Sequence, residues 1–192
     1  MPRTLDDVAF PLRTQRLTIR RARPEDAAAI WAYRRLEPVA RFMTALPGPL
    51  EDFRTTFTEP DRLGRTLVVE LVDGTLVGDL MVRVDDAWAQ TEVAAQAAGT
   101  QAEIGWALDP AHQGHGYATE AVRELLRLCF DDLGLRRVVA LCFAANEPSW
   151  RLMERVGMRR ETHTVRESLH RSGEWMDGLG YAILAEEWRA RA

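Results

Sequence analysis

Two glycines, Gly114 and Gly116, stand where a strand-like run gives way to an amphipathic helical pattern, and this junction constrains the chain more than any other feature. Upstream lies Ala102 to Leu108, apolar and β-like, then the loop Asp109 to Gly116. Downstream, Ala118, Ala121, Val122, Leu125, Cys129 and Leu133 recur at helical spacing, while Arg123, Glu124, Arg127 and Asp131 fall on the opposite face. Gly134 then ends the helix, and Val138 to Phe143 reads as a second strand. A strand, a helix and a strand in that order form a βαβ unit with parallel strands, so the chain contains at least part of a parallel sheet.

The flanking segments extend the sheet. Leu17 to Arg20 alternates like a half-buried strand, and Arg23-Pro24-Glu25-Asp26 opens a helix of roughly three turns carrying Ile30, Trp31 and Tyr33, with Pro38 expected to close it. Pro47-Gly48-Pro49 breaks the chain before a short helix presenting Leu50, Phe53 and Phe57 on one face. Asp73-Gly74 between two apolar runs, 66–72 and 75–82, is a hairpin signal. Residues 85–100 are rich in Ala and Gln around a single Trp88 and read as a connecting insertion, partly helical. Asn146 to Ser149 opens another helix that Gly157 stops, and strands through Val165 and through Trp175 to Ile183 flank an Arg171-Ser172-Gly173 turn.

Composition excludes several classes. The 192 residues carry 25 Lys+Arg against 29 Asp+Glu, a formal charge of −4, which is no footprint for nucleic acid. No apolar run approaches the roughly 18 residues a membrane helix needs, and the acidic N-terminal residues do not resemble a signal peptide, so a cytoplasmic protein with no membrane partner is expected. Cys129 and Cys142 lack CxxC spacing and sit in apolar segments, which predicts two buried free thiols. No His/Cys/Asp cluster has ligand spacing, so no metal is expected.

Glycines at a helix entrance let a ligand approach the backbone while the helix dipole and unbonded amides face it, which makes an anion site with phosphate as its natural guest. A P-loop would need Gly-Lys-Ser/Thr, and a dinucleotide fingerprint would need a small residue where Thr119 stands; both fail. The spacing Gln113-x-x-Gly116-x-Ala118 instead resembles the pyrophosphate loop Q/R-x-x-G-x-G/A of the GNAT superfamily of acyl-CoA-dependent N-acyltransferases. Three further segments resemble its RimJ/RimL-type branch: Thr14-Gln15-Arg16-Leu17-x-Ile19-Arg20 with Glu25-Asp26, Asn146-x-x-Ser149-x-x-Leu152-Met153-Glu154-x-x-Gly157-Met158, and Gly173-x-Trp175-x-Asp177 to Glu187-Trp188. Together they span residues 12–188 as a single domain. Two departures stand out: Met158 replaces the usual Phe, and Met153 occupies a position where many members place a proton-donating tyrosine.

The resemblance implies an α+β GNAT fold, with a central mixed sheet of about seven strands, two early helices on one side and two later ones on the other. It implies acetyl transfer from acetyl-CoA, a co-substrate, to a primary amine by direct attack in a ternary complex, the acceptor being a protein N-terminus, a polyamine or a small-molecule amine. Gln113, Gly114, His115, Gly116, Tyr117, Ala118 and Thr119 would hold the pyrophosphate, the backbone of Trp106 and Leu108 would pair with pantetheine amides, and Asn146 and Ser149 would also contact the cofactor. An amine with a pKa of roughly 10 is mostly protonated at neutral pH, so a base is required. Glu103 resembles the acid some members use, directly or through water, with His163 and His170 as other candidates, and Ser149 is the expected donor to the thiolate. Asn146 and Ser149 have plain helix-capping roles as alternatives. A larger acyl donor such as succinyl-CoA, or a catalytically silent acyl-CoA-binding module, also remains open. The 85–100 insertion and the final hairpin are the candidate surfaces for a homodimer.

Overall fold

The computed structural model describes residues 3–191. Its strands are β1 (Leu12–Arg13), β2 (Leu17–Arg21), β3 (Thr66–Leu71), β4 (Leu76–Asp85), β5 (Gln101–Leu108), β6 (Arg137–Phe143), β7 (Arg159–Leu169) and β8 (Trp175–Leu184). They hydrogen-bond in the order β1-β2-β3-β4-β5-β6-β8-β7. The helices are α1 (Ala27–Arg34), α2 (Glu37–Ala40), α3 (Leu50–Phe57), α4 (Pro60–Gly64), α5 (Ala94–Ala97), α6 (Tyr117–Arg127), α7 (Glu147–Arg155) and α8 (Ala185–Arg189). Eight strands appear where about seven are expected, the two-residue β1 being too short to carry an alternation signal. Pro38 does not merely close α1: it sits in the first turn of α2, where a missing N–H costs no helical hydrogen bond.

The chain forms two compact units. The first comprises Leu5–Val82 with Gly105–Leu125, and the second comprises Arg83–Ile104 with the chain from Leu126 onward. In the first, β2 pairs with β3 and β3 with β4, all antiparallel. Ile30 and Tyr33 of α1 and Phe53 and Phe57 of α3 close over Val68 and Ala107 as one apolar cluster. The helical spacing of these residues, with Phe53 and Phe57 stacked at 5.6 Å, puts them on one side of each helix. In the second unit β5 and β6 run parallel, with Gln101, Ala102 and Glu103 opposite Arg137, Val138 and Val139. β8 lies antiparallel between β6 and β7. Val138, Ala140, Tyr181, Ala182 and Ile183 are buried there with Leu152 and Met153 of α7. Met153, which stands where a tyrosine is common, is therefore a core residue.

Helix α6 keeps the predicted amphipathic face, with Ala121, Val122 and Leu125 buried. Past Arg127 it widens into a π turn over Leu128–Asp132, closed by the Leu133 amide donating to the Leu128 carbonyl. Of the two cysteines, Cys129 is buried as expected, whereas Cys142 is only partly buried; neither is in a disulfide. Residues 85–100 form an excursion in which the Ala87 amide donates to the Ala97 carbonyl, and Trp88 stands 90% exposed on it.

One packing detail was not legible in the sequence. Gly78 of β4 lies so close to β5 that a Cβ there would sit 2.6 Å from the Ala107 carbonyl oxygen and 3.1 Å from Leu108 Cγ. A backbone oxygen has no rotamer by which to move aside, so Gly78→Ala must shift a strand. Overpacking of this kind costs about 1–3 kcal/mol, and urea unfolding of Gly78→Ala should show a lowered midpoint at unchanged slope.

Candidate functional site

The loop after β5 is built for close approach. Asp109 caps a 3-10 turn at Pro110–His112 through the Ala111 amide, and the chain then passes through Gly114 and Gly116 with φ of +81° and +80°. Both angles are left-handed, a region that side chains adopt at a cost, and alternate left-handed residues turn successive N–H groups toward one concavity. An added Cβ at Gly114 meets nothing within 4 Å, and one at Gly116 meets only Arg16, with Nη2 at 3.5 Å. The space a side chain would fill is open. Tyr117 begins α6 directly after the second glycine, so the first amides of that helix lack intrahelical acceptors and carry the positive end of its dipole. Such a concavity at a helix N-terminus suits an anion.

The loop is fastened from the segment joining β1 to β2. Glu120, in the first turn of α6, accepts hydrogen bonds from Thr14 Oγ1 at 2.6 Å, the Arg16 amide at 2.9 Å and Arg16 Nε at 2.7 Å. Arg16 Nη1 donates to the His115 carbonyl at 2.9 Å, and the guanidinium lies 4.9 Å over the Tyr117 ring, which in turn stacks on His115 at 5.4 Å. The sequence alone does not bring Thr14, Arg16 and Glu120 together. The available signal was an acid in the first turn of a helix whose cation partner lies 104 residues away. Gln113 is exposed and Thr119 partly buried.

In the other unit, Glu103 is partly buried and its Oε2 accepts from Arg83 Nη2 at 2.6 Å, while Arg83 Nε donates to Asp85 at 2.8 Å. The candidate base is thus one end of a small ion-pair chain. Asn146 precedes α7 but makes no side-chain capping bond; only its carbonyl accepts, from the Ser149 and Trp150 amides. The plain capping role is therefore not the one Asn146 plays. The Ser149 hydroxyl is hydrogen-bonded to the Cys142 thiol of β6. Burial pushes that thiol up to about 11, with the Ser149 hydrogen bond partly offsetting it, so Cys142 is neutral at physiological pH and no nucleophile. Trp106 is partly buried and Leu108 buried on β5, and the Asp109 amide donates to the Val77 carbonyl at 2.9 Å.

Among the histidines, His163 Nε2 lies 2.9 Å from Asp177 Oδ2 on an exposed part of the final hairpin. His170 is buried, with Nδ1 2.8 Å from Ser172 Oγ and its ring edge-on to Phe143 at 5.7 Å. Among the described residues no group of three His, Cys, Asp or Glu side chains could hold a metal ion, and no helix is long and apolar enough to cross a membrane.

The family model described as acetyltransferase (GNAT) domain matches residues 16–159, and the chain belongs to that family. An acetyltransferase (GNAT family) from Bacillus anthracis is 30% identical and superposes with a TM-score of 0.78 over 92% of this chain and 99% of that one. RimJ from Mycobacterium smegmatis, solved in complex with CoA-disulfide, is 27% identical with a TM-score of 0.70, covering 89% and 83% of the two chains. An uncharacterized N-acetyltransferase, YnaD of Bacillus subtilis, is 43% identical over 86 residues, 45% of this chain and 50% of that protein. The chain spans about half the length of the first curated relatives it matches.

The Glu120 clip has a pH signature. Burial raises its carboxyl, but the hydrogen bonds from Thr14 and Arg16 outweigh this and hold it below the ordinary glutamate range. A carboxyl lowered in the folded state adds stability above its unfolded pKa of about 4.3, and that stability is lost as pH falls through the folded value. Glu120→Gln should therefore unfold about 2–4 °C lower than the parent at pH 7, and the gap should close as the pH of the scan falls through the lowered carboxyl value.

Proposed function

We propose that the protein transfers the acetyl group of acetyl-CoA to a primary amine, by direct attack of the amine on the thioester within a ternary complex. The observation that carries this is the pair of left-handed glycines opening α6, an open cradle for a diphosphate inside the stretch that the family model matches. The RimJ/RimL-type branch is the best reading within the family. The Thr14 to Arg20 and Asn146 to Met158 motifs favour it, as does the likeness to a RimJ solved with CoA-disulfide. Its acceptors, an N-terminal α-amine, a polyamine or a small amine, share one requirement, which is a neutral nitrogen at the moment of attack.

In this reading the amides of Gly114 to Ala118 bind the diphosphate, with Gln113 and Thr119 at the rim of the loop. The backbone of Trp106 and Leu108 and the side chain of Asn146 receive pantetheine. Glu103 accepts the proton from the amine, directly or through water, and Arg83 holds its carboxylate in place. Ser149 donates to the departing sulfur. Its hydroxyl rests on the Cys142 thiol, and burial keeps that thiol protonated, so the serine is not competing with a thiolate.

Two measurements test the proposal. Gly116→Val should abolish CoA binding in calorimetry with the fold retained, because a β-branched residue neither adopts the +80° φ nor leaves the cradle open; wild-type affinity would sink the phosphate-loop assignment. An amine-library screen read by thiol release then supplies the acceptor, on which Glu103→Gln and Ser149→Ala are compared. General acid or base removal costs about 10² to 10⁴ in rate, but a thiol of pKa about 8.5 departs partly unaided, so Glu103→Gln should lose more turnover. It should also recover at high pH as free amine accumulates, whereas Ser149→Ala should not. Unchanged turnover in Glu103→Gln at neutral pH would move the base elsewhere.

A further inference from the structure

We propose that Arg16 is a positioning residue for diphosphate binding: it holds the peptide between His115 and Gly116 so that the Gly116 amide faces the ligand. This rests on the reading of Gly114 to Ala118 as the phosphate cradle and identifies what fixes the cradle's shape. The peptide between His115 and Gly116 turns over by rotation about ψ of His115 and φ of Gly116, and Gly116 has no Cβ to oppose the change. Turned over, it would present a carbonyl oxygen to an anion.

Arg16 prevents that by geometry. In a trans peptide the C=O and N–H point in opposite directions. The His115 carbonyl accepts from Arg16 Nη1 at 2.9 Å, so the N–H of Gly116 is directed away from the guanidinium. Arg16 is in turn held by Glu120, which takes its Nε at 2.7 Å and its own backbone amide at 2.9 Å, and by the face of Tyr117 at 4.9 Å. Thr14 completes the clip through the same carboxylate at 2.6 Å and through the Leu17 amide at 3.0 Å. The pairing also neutralises Glu120, whose carboxylate in the first turn of α6 would otherwise repel a phosphate bound at that terminus. One side chain therefore orients a donor and removes a competing negative charge.

The test uses the full chain, with calorimetry of CoA and of ADP, which keeps the diphosphate without pantetheine. Glycine-selective ¹⁵N spectra read the Gly116 amide directly. Arg16→Met should weaken both ligands about tenfold or more, as expected for a charge-assisted hydrogen-bond network, and its Gly116 amide signal should be displaced before ligand is added. Arg16→Lys keeps the cation and its attraction to Glu120 but lacks the planar fork that reaches Glu120 and the His115 carbonyl together. It should weaken binding as well, and it decides the matter if the methionine variant does not fold. Wild-type affinity in Arg16→Lys would assign the effect to charge alone and overturn the positioning role, as would an unshifted Gly116 amide in Arg16→Met. Retained CoA binding in Gly116→Val would defeat the phosphate-loop reading itself; lost binding there with full binding in Arg16→Met would defeat only the role of Arg16.

Discussion

A glycine-rich loop entering a helix has no intrinsic reason to keep one shape, and in this protein the carboxylate of Glu120 supplies the reason. It gathers a hydroxyl, a backbone amide and a guanidinium from the segment joining β1 to β2, and that guanidinium reaches the loop carbonyl. The arrangement turns a flexible entrance into a preorganised concavity, which is the property an anion site needs, since ordering the loop at the moment of binding would subtract from affinity. Exposed ion pairs are individually weak. This one gains from the Glu120 side chain being only 17% exposed and from serving three donors at once.

A second network fixes the same unit at a distance in sequence. Asp79 of β4 is 1% exposed and is held by Arg34 and the Tyr33 hydroxyl at the end of α1. Burial, and then the adjacent Asp79 charge, drive the Tyr33 phenol well above its ordinary range, so it stays a neutral donor. Desolvation works against the charge of Arg34, yet Asp79 outweighs it and the guanidinium is held still more firmly protonated. Removing Arg34 would leave the buried Asp79 carboxylate with the Tyr33 hydroxyl but no cation, a loss that typically costs about 3–5 kcal/mol. The neighbouring strand contact at Gly78 tolerates no side chain, so β4 is fixed both by charge and by shape.

What could be read in the sequence was what recurs locally. The helical period of α6, the Asp73-Gly74 hairpin, the βαβ order and the two-glycine entrance are all short-range patterns, and each corresponds to an element of the structure. The features that escaped are pairings over long separations. Glu120 meets Arg16 across 104 residues and Asp79 meets Arg34 across 45, and no periodicity couples such positions. Asp79 left a trace all the same, since an acid within the apolar run Leu76 to Val82 demands a cation once the strand is buried. Gly78 left none, because a glycine required by a close backbone neighbour reads like any other glycine. Pro38 shows the opposite error, a proline taken as a terminator where it also initiates.

The candidate catalytic residues differ from the loop in how far their surroundings prepare them. In the proposed reading the loop's donors are backbone groups set by φ angles and by the Arg16 contact to the His115 carbonyl, so their competence depends on conformation. Glu103 and Ser149 each already have a partner, Arg83 and Cys142, and acting on an amine or a thiolate requires exchanging or sharing that partner. For Ser149 the exchange is easy in principle, because a thiol is a weak hydrogen-bonding partner. For Glu103 the ion pair to Arg83 engages Oε2, and a carboxylate has further lone pairs on its other oxygen with which to receive a proton. In the proposed mechanism Arg83 orients Glu103 without occupying its second oxygen, provided the amine or an intervening water approaches from the Oε1 side. If Glu103 is the base, as proposed, the direction of acceptor entry follows from this salt bridge.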